Sequence, residues 1–581
     1  MRRVAGIEQE YAIRYSPVGG EGRPSHRRVF LAFLRTLSEE LQPGIVAEER
    51  LDELEAAPTP GMGAFVLNGG RVYYEALSKA PDGGLIELAT PECRGANQLL
   101  VYERAQDALL RRALPGMRRR LARAGYPGEL DLLKNCRDAA GHVYGTQENV
   151  EVEVARGPAL LAYRALAALL LPWPIALTLA LWAILISVAL VVCGLLLALG
   201  LVYVTIALGL GALGLAGVRA RRAWSLLDRA LAWPDRHLGV TLRGRDHRGA
   251  VLLHRFDHAM SYAFATPHLV LARLFLFGRV RRDLGGLLAS RVVLSGAGVR
   301  RDDGGFGLSE KADAIGALQR WHLGTARAIL DPVESYRATQ GLVALRVRQV
   351  GRLFARRQRL QLGCSDASLA EVGGLLKIGT LLEALALSDD GALADLPRPR
   401  DPVAALRAFS ADPSLTARVP MSDGAPRTAL EIQRLYLERA EAAGGAVDPE
   451  RLEILRLWRE SLDALERDPR SLFGRIDWVT KRELIARCAD DDASATKVAL
   501  RYAELEGGYF RALERDGLTD RVLDDAEIER AVTEAPSDTR AFARARLVRR
   551  LAREGGPREI GWDRVRVGPR FRGKVIFLFG E

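Results

Sequence analysis

"YGTQENVEVEV", Tyr144 to Val154, alternates Val150, Val152 and Val154 with Glu151 and Glu153. Alternation at period two is the signature of a β-strand with one apolar and one acidic face. Two upstream stretches resemble it. In "GIEQEYAI", Glu8 and Glu10 stand two apart and so project from one side of an extended chain. In "LNGGRVYYEALSKAPDGGLIELATPE", Leu67 to Glu92, the turn chemistry of "NGG" precedes a strand "RVYYE", and Glu75, Glu87 and Glu92 bracket a loop. One such strand alone reads as an edge with solvated glutamates. Three of them gather like charges on one sheet, which repel unless a cation or substrate compensates them. Magnesium fits that role, because it takes a few carboxylates and leaves further positions to bound phosphates.

The rest of the chain sets bounds. Its 581 residues exceed one ordinary domain. A charged fraction of 27% beside 48% hydrophobic residues excludes a wholly disordered chain and a many-span transporter. The net charge of +11 favours anionic partners, but no recognisable nucleic-acid-binding pattern accompanies it, so nucleic acid is not expected. Cys93, Cys136, Cys193, Cys364 and Cys488 form no C-x-x-C pair, which argues against a disulfide framework or a zinc site. The N-terminus reaches acidic residues too soon for a signal peptide, so a cytoplasmic folded domain is expected there. "HRFDH" spaces His254 and His258 one helical turn apart without a third ligand and reads as helix surface. The glycine turns near Gly296 and Gly304 lack a complete phosphate-loop motif. "LRVRQVGRLFARRQRL", from Leu345, reads as a basic helix that touches lipid headgroups, meets an acidic partner or simply faces solvent.

One segment stands apart. From Ala165 to Val218 no side chain is charged, whereas a single membrane span needs only about twenty residues. A break at "CGLLLALG", Cys193 to Gly200, would give two spans, at about 169–192 and 195–215, hence a transmembrane helical hairpin. Arg156 and Arg164 precede the segment and Arg219, Arg221 and Arg222 follow it, which places both ends on the cytoplasmic side of an inner membrane. The alternatives are a buried core hairpin and a re-entrant insertion.

Together with these acidic motifs, "KNCRDAAGHVYGTQEN", "ASRVVLSGAGV", "GCSDASLAEVGGLLKIGT", "GRIDWVTKRELI" and "AVTEAPSDTRAFARARLVRR" follow in an order that resembles the Pup ligase and Pup deamidase/depupylase family. These are carboxylate-amine ligase relatives. The motifs span nearly the whole chain outside the apolar run. The resemblance implies an α+β, glutamine-synthetase-like fold with a curved antiparallel sheet. It implies ATP, or ADP plus phosphate, with Mg2+, and as partners a small ubiquitin-like modifier and its conjugated target proteins. By the same resemblance Glu8, Glu10 and Glu87 fall on magnesium and phosphate ligands, and Tyr73 lies two places before the catalytic aspartate. Glu75 falls on that aspartate. A glutamate is one methylene longer, and the loop that follows is also longer than the family's, so Asp82 within it is the alternative catalytic carboxylate. Gln147 and Gln361 stand where the family has histidines, which removes two titratable groups. Glu148, Asn149, Arg359 and Asp366 keep their places. Trp478 and Lys481 are expected near the nucleotide, and Arg291 and Arg540 at phosphate or substrate.

The domains expected are a first catalytic part (1–159), the membrane hairpin (160–222), a second catalytic part (223–490) and a small C-terminal domain (495–581). "YGTQEN", "DWVTKREL", "EAPSDTRAF" and "IGWDRVRV" lean toward the deamidase/depupylase branch, and the opening "GIE" toward the ligase. Two functional alternatives stay open beside a membrane-tethered amidohydrolase: a ligase joining the modifier to lysines, and a degenerate scaffold that binds nucleotide or modifier. The lipid bilayer is the third expected partner.

Overall fold

The computed structural model describes residues 3–578 apart from 20–21, 47–49, 53, 55–61, 77–82, 139–140, 213–266, 272–273, 276–277, 302, 320–326, 332–349, 445–447, 556–557 and 569–573. Asp82, the two histidines of "HRFDH" and the arginines after the apolar run lie outside the described residues.

Strand β1 (Val4–Pro17) is the spine. It is flanked in sequence by β2 (Gly63–Phe65), β3 (Arg71–Ala76), β4 (Gly84–Ala89), β5 (Cys93–Arg94), β6 (Gly128–Leu133) and β7 (Gln147–Glu153). Strands β8 (Val299–Arg300) and β9 (Phe306–Gly307) pair separately, while β10 (Ile315–Gln319), β11 (Arg327–Asp331) and β12 (Arg357–Leu362) extend the main sheet. Among the described residues that sheet has ten strands, in the order β10-β11-β12-β7-β1-β4-β3-β2, with β5 and β6 also paired to β1. All pairs but one are antiparallel; β10 and β11 run parallel. The expected antiparallel sheet is therefore a mixed one, within a mixed α/β architecture. Strands β13 (Arg558–Ile560), β14 (Arg564–Val567) and β15 (Lys574–Phe577) make a small antiparallel sheet near the C-terminus.

Period two divides the large sheet into two faces. Ile7, Tyr11, Val72, Ile86, Val150, Val152, Leu360 and Leu362 are buried on one of them. Helices α1 (His26–Thr36) and α2 (Ala96–Arg123) belong to the same core. Each large apolar side chain buried there contributes roughly 1.5–3 kcal/mol. The opposite face carries the glutamates.

Helix α3 (Gly157–Leu170) leads through Leu171 into α4 (Pro172–Ala212), 41 residues without a break. The expected hairpin turn at Cys193–Gly200 is helical throughout, and both proposed spans lie, as far as they are described and from 172 onward, in α4. Gly194 and Gly200 each cost a helix only about 1 kcal/mol, and no proline or polar turn residue accompanies them, so intrahelical bonding continues. The buried-core alternative also fails, since Leu179, Leu190, Leu197 and Leu201 are all more than 60% exposed. At α4's start the Thr178 hydroxyl returns to Pro174 O at 2.7 Å.

The basic stretch from Leu345 is not one helix. Its described part is a helical turn, Arg352–Phe354, followed by β12. Alternation in "RQRLQL" sends Gln358, Leu360 and Leu362 to the core and Arg357, Arg359 and Gln361 to the acidic face.

Candidate active site

Register assembles the acidic face. Glu10 stands opposite Glu87, and Glu87 opposite Tyr73. One step along, Glu8 stands between Gln147 and Ala89, and Ala89 faces Arg71. Glu75 continues the β3 side, opposite Leu85. On β7 and β12, Asn149 meets Gln361 and Glu151 meets Arg359.

Each carboxylate is held differently. The Arg359 guanidinium binds Glu8 Oε1 at 2.7 Å and the Asn149 amide oxygen at 2.7 Å. Gln361 donates to Glu8 Oε2 at 3.2 Å and to the Gln147 amide oxygen. Glu10 accepts the Gly145 N–H at 2.7 Å. Gly145 has φ of 110°, and a Cβ there would lie 2.2 Å from Cys136 Sγ, so only glycine brings this N–H to the carboxylate.

Electrostatics separate these groups from ordinary surface acids. Burial raises Glu10, with the Glu8 charge adding to the effect against Gly145 and nearby cations. Glu87 is raised well above the usual carboxylate range by burial and then by Glu8, Glu10 and Glu75. Glu75 still reaches solvent, yet lost hydration and the charges of Glu10 and Glu8 push it up to about 7. A carboxylate poised there is suited to general-base chemistry near neutrality. Among the described residues, no three histidine, cysteine, aspartate or glutamate groups converge as a ready-made metal cage. The donor set nevertheless fits magnesium, which needs few protein carboxylates, and the mutual repulsion of these glutamates is what a divalent cation relieves.

A cleft of about 260 Å³ adjoins this face, lined in part by Gly6, Glu8, Arg357, Arg359, Arg540 and Trp562. Arg540 and Arg544 clamp Glu92, with Arg540 Nε at 2.7 Å from Oε1. Burial alone would raise Glu92, but these arginines outweigh it and hold the carboxyl below its usual range. Trp562 donates its indole N–H to the Tyr73 hydroxyl at 3.2 Å and packs edge-on against Phe65. Arg71 lies over the Tyr73 ring at 4.3 Å. A cleft walled by arginines, an indole and Glu8 at one end of the glutamate row can receive a polyphosphate and an aromatic base.

The structure thus brings Glu8, Glu10, Tyr73, Glu75, Glu87, Gln147, Asn149, Arg359, Gln361 and Arg540 together. It separates the other expected site residues. Glu148 alternates to the core face, where Arg291 binds it at 2.5 Å and Ser365 joins them. Asp366, pushed up to about 6 by burial and Glu310, accepts the backbone N–H groups of Ala297, Glu310 and Lys311. Trp478 is buried with its indole on Val293 O at 2.9 Å. Lys481 binds Gly298 O at 2.7 Å and Glu310 at 3.0 Å beside another cavity, of about 300 Å³. These five act on the loops behind the sheet rather than on its acidic face. Conversely, Arg71, Arg357 and Trp562 were not among the expected site residues. Arg357 was readable from its period-two relation to Arg359; Trp562 reaches Tyr73 across 489 residues of chain.

Comparison with known proteins follows this geometry. A family model described as Pup-ligase protein matches residues 3–566. A Pup deamidase/depupylase from Mycolicibacterium smegmatis is 30% identical over 312 residues, 51% of this chain and 59% of that protein. The chain thus spans under two thirds of the length of that relative. A Pup–protein ligase from Pseudarthrobacter chlorophenolicus is 24% identical over 587 residues, 99% of this chain and 95% of that protein. Among solved structures, the complex between the prokaryotic ubiquitin-like protein Pup and its ligase PafA superposes with a TM-score of 0.64 at 20% identity, covering 99% of this chain and 89% of that one. PafA in complex with ADP gives 0.60 at 20% identity, covering 97% and 92%.

Proposed function

The chain belongs to the Pup-ligase protein family, and on that premise we propose that it is a nucleotide- and magnesium-dependent amidohydrolase of a Pup-like modifier. It deamidates a C-terminal glutamine, cleaves the isopeptide link to lysine, or does both. The observation that carries this reading is Glu75, pushed up to about 7 at the end of an acidic row beside the arginine-walled cleft.

Glu8, Glu10 and Glu87 would hold the magnesium, which when bound supplies positive charge to phosphate oxygens. Arg359 and Gln361 orient Glu8, and the Gly145 N–H orients Glu10. Arg540 and Trp562 bound the cleft for the nucleotide. Glu75 takes a proton from the attacking water as oxygen bonds to the amide carbon, then delivers it to the departing nitrogen as the C–N bond breaks. The products are a C-terminal glutamate with ammonia, or with the freed lysine amine. Asp82, outside the described residues, is the alternative base.

Ligation is the second reading, favoured by the near full-length match to a Pup–protein ligase. There ATP would activate the modifier's glutamate carboxyl as an acyl phosphate, and the same glutamate would accept a proton from the lysine amine as its nitrogen bonds to the carbonyl carbon and phosphate departs. The test incubates the detergent-purified chain with magnesium-ATP and a modifier ending in glutamine, or one ending in glutamate plus a lysine-bearing acceptor, read by intact mass. Conversion of glutamine to glutamate supports the amidohydrolase, and a conjugate supports the ligase. Nucleotide binding with neither product would leave the scaffold.

The proposal extends to location. Helix α4, apolar and largely exposed among its described residues beyond its first two turns, embeds in the inner membrane and holds the catalytic face on the cytoplasmic side. At about 1.5 Å per residue its 41 residues exceed the roughly 30 Å hydrocarbon core, so length is not limiting. Release of the native chain by alkaline carbonate would contradict this location.

A further inference from the structure

We propose that arginines at the root of α4 form a collar that binds the anionic headgroups of a lipid membrane, a surface that rests on the bilayer reading of α4. Leu171, at the α3–α4 junction, packs against Val350 and Leu353. On α3, Arg164 Nε donates to Phe354 O at 2.9 Å, and the Tyr163 hydroxyl accepts from Gln358 at 3.0 Å. The apolar helix is therefore rooted on the turn Arg352–Phe354 and on β12, the strand that carries Arg359 to the acidic face.

Along α3, from its N-terminus to this root, Arg156, Arg164, Arg356 and Arg357 are exposed. Among the described residues their carboxylate ion-pair partners are Glu151, Glu153 and Asp389, with Glu153 also 3.8 Å from Arg357. Glu153 is buried beneath Arg156 and Arg356, and Glu151 lies 3.6 Å from Arg357. Asp389 is shared by Arg3 and Arg279 and lies 4.0 Å from Arg156. A guanidinium has five N–H donors in a planar fork that suits phosphate oxygens, and the bonds to Glu153 and Phe354 engage only part of each fork. Cations beside an apolar helix match the layering of a bilayer, with headgroup phosphates next to hydrocarbon. The collar also borders the nucleotide cleft, which Arg357 lines, so headgroup binding would seat that cleft against the membrane surface.

The full chain, diluted from detergent into vesicles, tests this by flotation. Wild type is expected to partition at least tenfold more strongly, at about fivefold per arginine, onto phosphatidylcholine containing phosphatidylglycerol than onto phosphatidylcholine alone. Arg156→Gln, Arg164→Gln and Arg356→Gln together should cut that preference to the roughly fivefold that Arg357 alone supplies, while leaving flotation on pure phosphatidylcholine intact, and the matching lysine set should keep it. Equal wild-type flotation on both lipids overturns the collar and leaves α4 in the bilayer; an acidic protein partner predicts that result. An unchanged preference in the glutamine set also overturns the collar. Failure of wild type to float on either lipid overturns the membrane reading itself. The wild-type comparison decides the matter even where the variants fold poorly.

Discussion

On one side of the sheet, Glu103 and Asp107 of α2 sit among Lys134, Lys377 and Arg104. Lys134 lies 3.1 Å from Glu103 and 2.8 Å from Asp107, and Tyr11 donates to Asp107 at 2.7 Å. On the other side, Glu8, Glu10, Glu75 and Glu87 face one another. Burial penalises the charge of Glu103 as it does that of Glu87, but Lys134, Lys377 and Arg104 overcome it and take Glu103 down to about 2. Glu87 moves the other way, because its nearest charges are mostly carboxylates. The same residue type therefore serves two ends. Where cations surround it, as around Glu103, the glutamate belongs to the scaffold; where carboxylates dominate, as around Glu87, the charge is left for a ligand to balance.

The largest expected effect breaks the balanced side. Glu103→Gln leaves buried lysine charge uncompensated and should cost about 3–5 kcal/mol, read as a fall in the urea unfolding free energy. An unchanged unfolding curve would show that the knot is not structural. On the acidic face, Glu75→Gln should lower turnover by about 10²–10⁴-fold with no loss of unfolding free energy. Full turnover in Glu75→Gln together with none in Asp82→Asn would move the base to Asp82.

Proton linkage sharpens the contrast. Glu75 folds with a raised value, so between about pH 4.5 and 7 the folded chain keeps a proton that the unfolded chain has released. Its contribution to stability is then lost as pH rises through that window. Glu103 folds with a lowered value, so its contribution is present above pH 4.5 and is lost as pH falls toward 2. Ligand-free unfolding measured against pH should show both limbs, and Glu75→Gln should flatten only the neutral one. As a base, Glu75 also predicts a kcat/KM that climbs through pH 7 and then levels. A smaller effect is expected at Trp562→Ala, which should weaken nucleotide binding, measured by calorimetry, more than it alters unfolding.

Much of the acidic face was legible because period two is a local signal. Glu8 and Glu10, Arg359 and Gln361, and Tyr73 and Glu75 each share a face from spacing alone. The same rule separates Glu148 from Asn149, adjacent residues that a motif groups and a strand divides. Arg291, Asp366, Trp478 and Lys481 sit behind the sheet for a related reason: a motif records their order along the chain, and only tertiary packing decides which side they serve. Trp562 was illegible because no local period connects a C-terminal residue to Tyr73. The hairpin expectation failed on energetics, since two isolated glycines do not outweigh helical propensity in a run of leucine, alanine and valine.

The most direct measurement of this division is the thermal unfolding of wild type, Glu10→Gln and Glu87→Gln, each with and without magnesium-ATP. Removing one of two facing like charges should stabilise the ligand-free variants, by roughly 0.2–1 kcal/mol. The same change should abolish the rise in Tm that magnesium-ATP gives wild type. Variants that are no more stable without ligand and still gain the full rise would contradict the assignment of this face to a magnesium nucleotide.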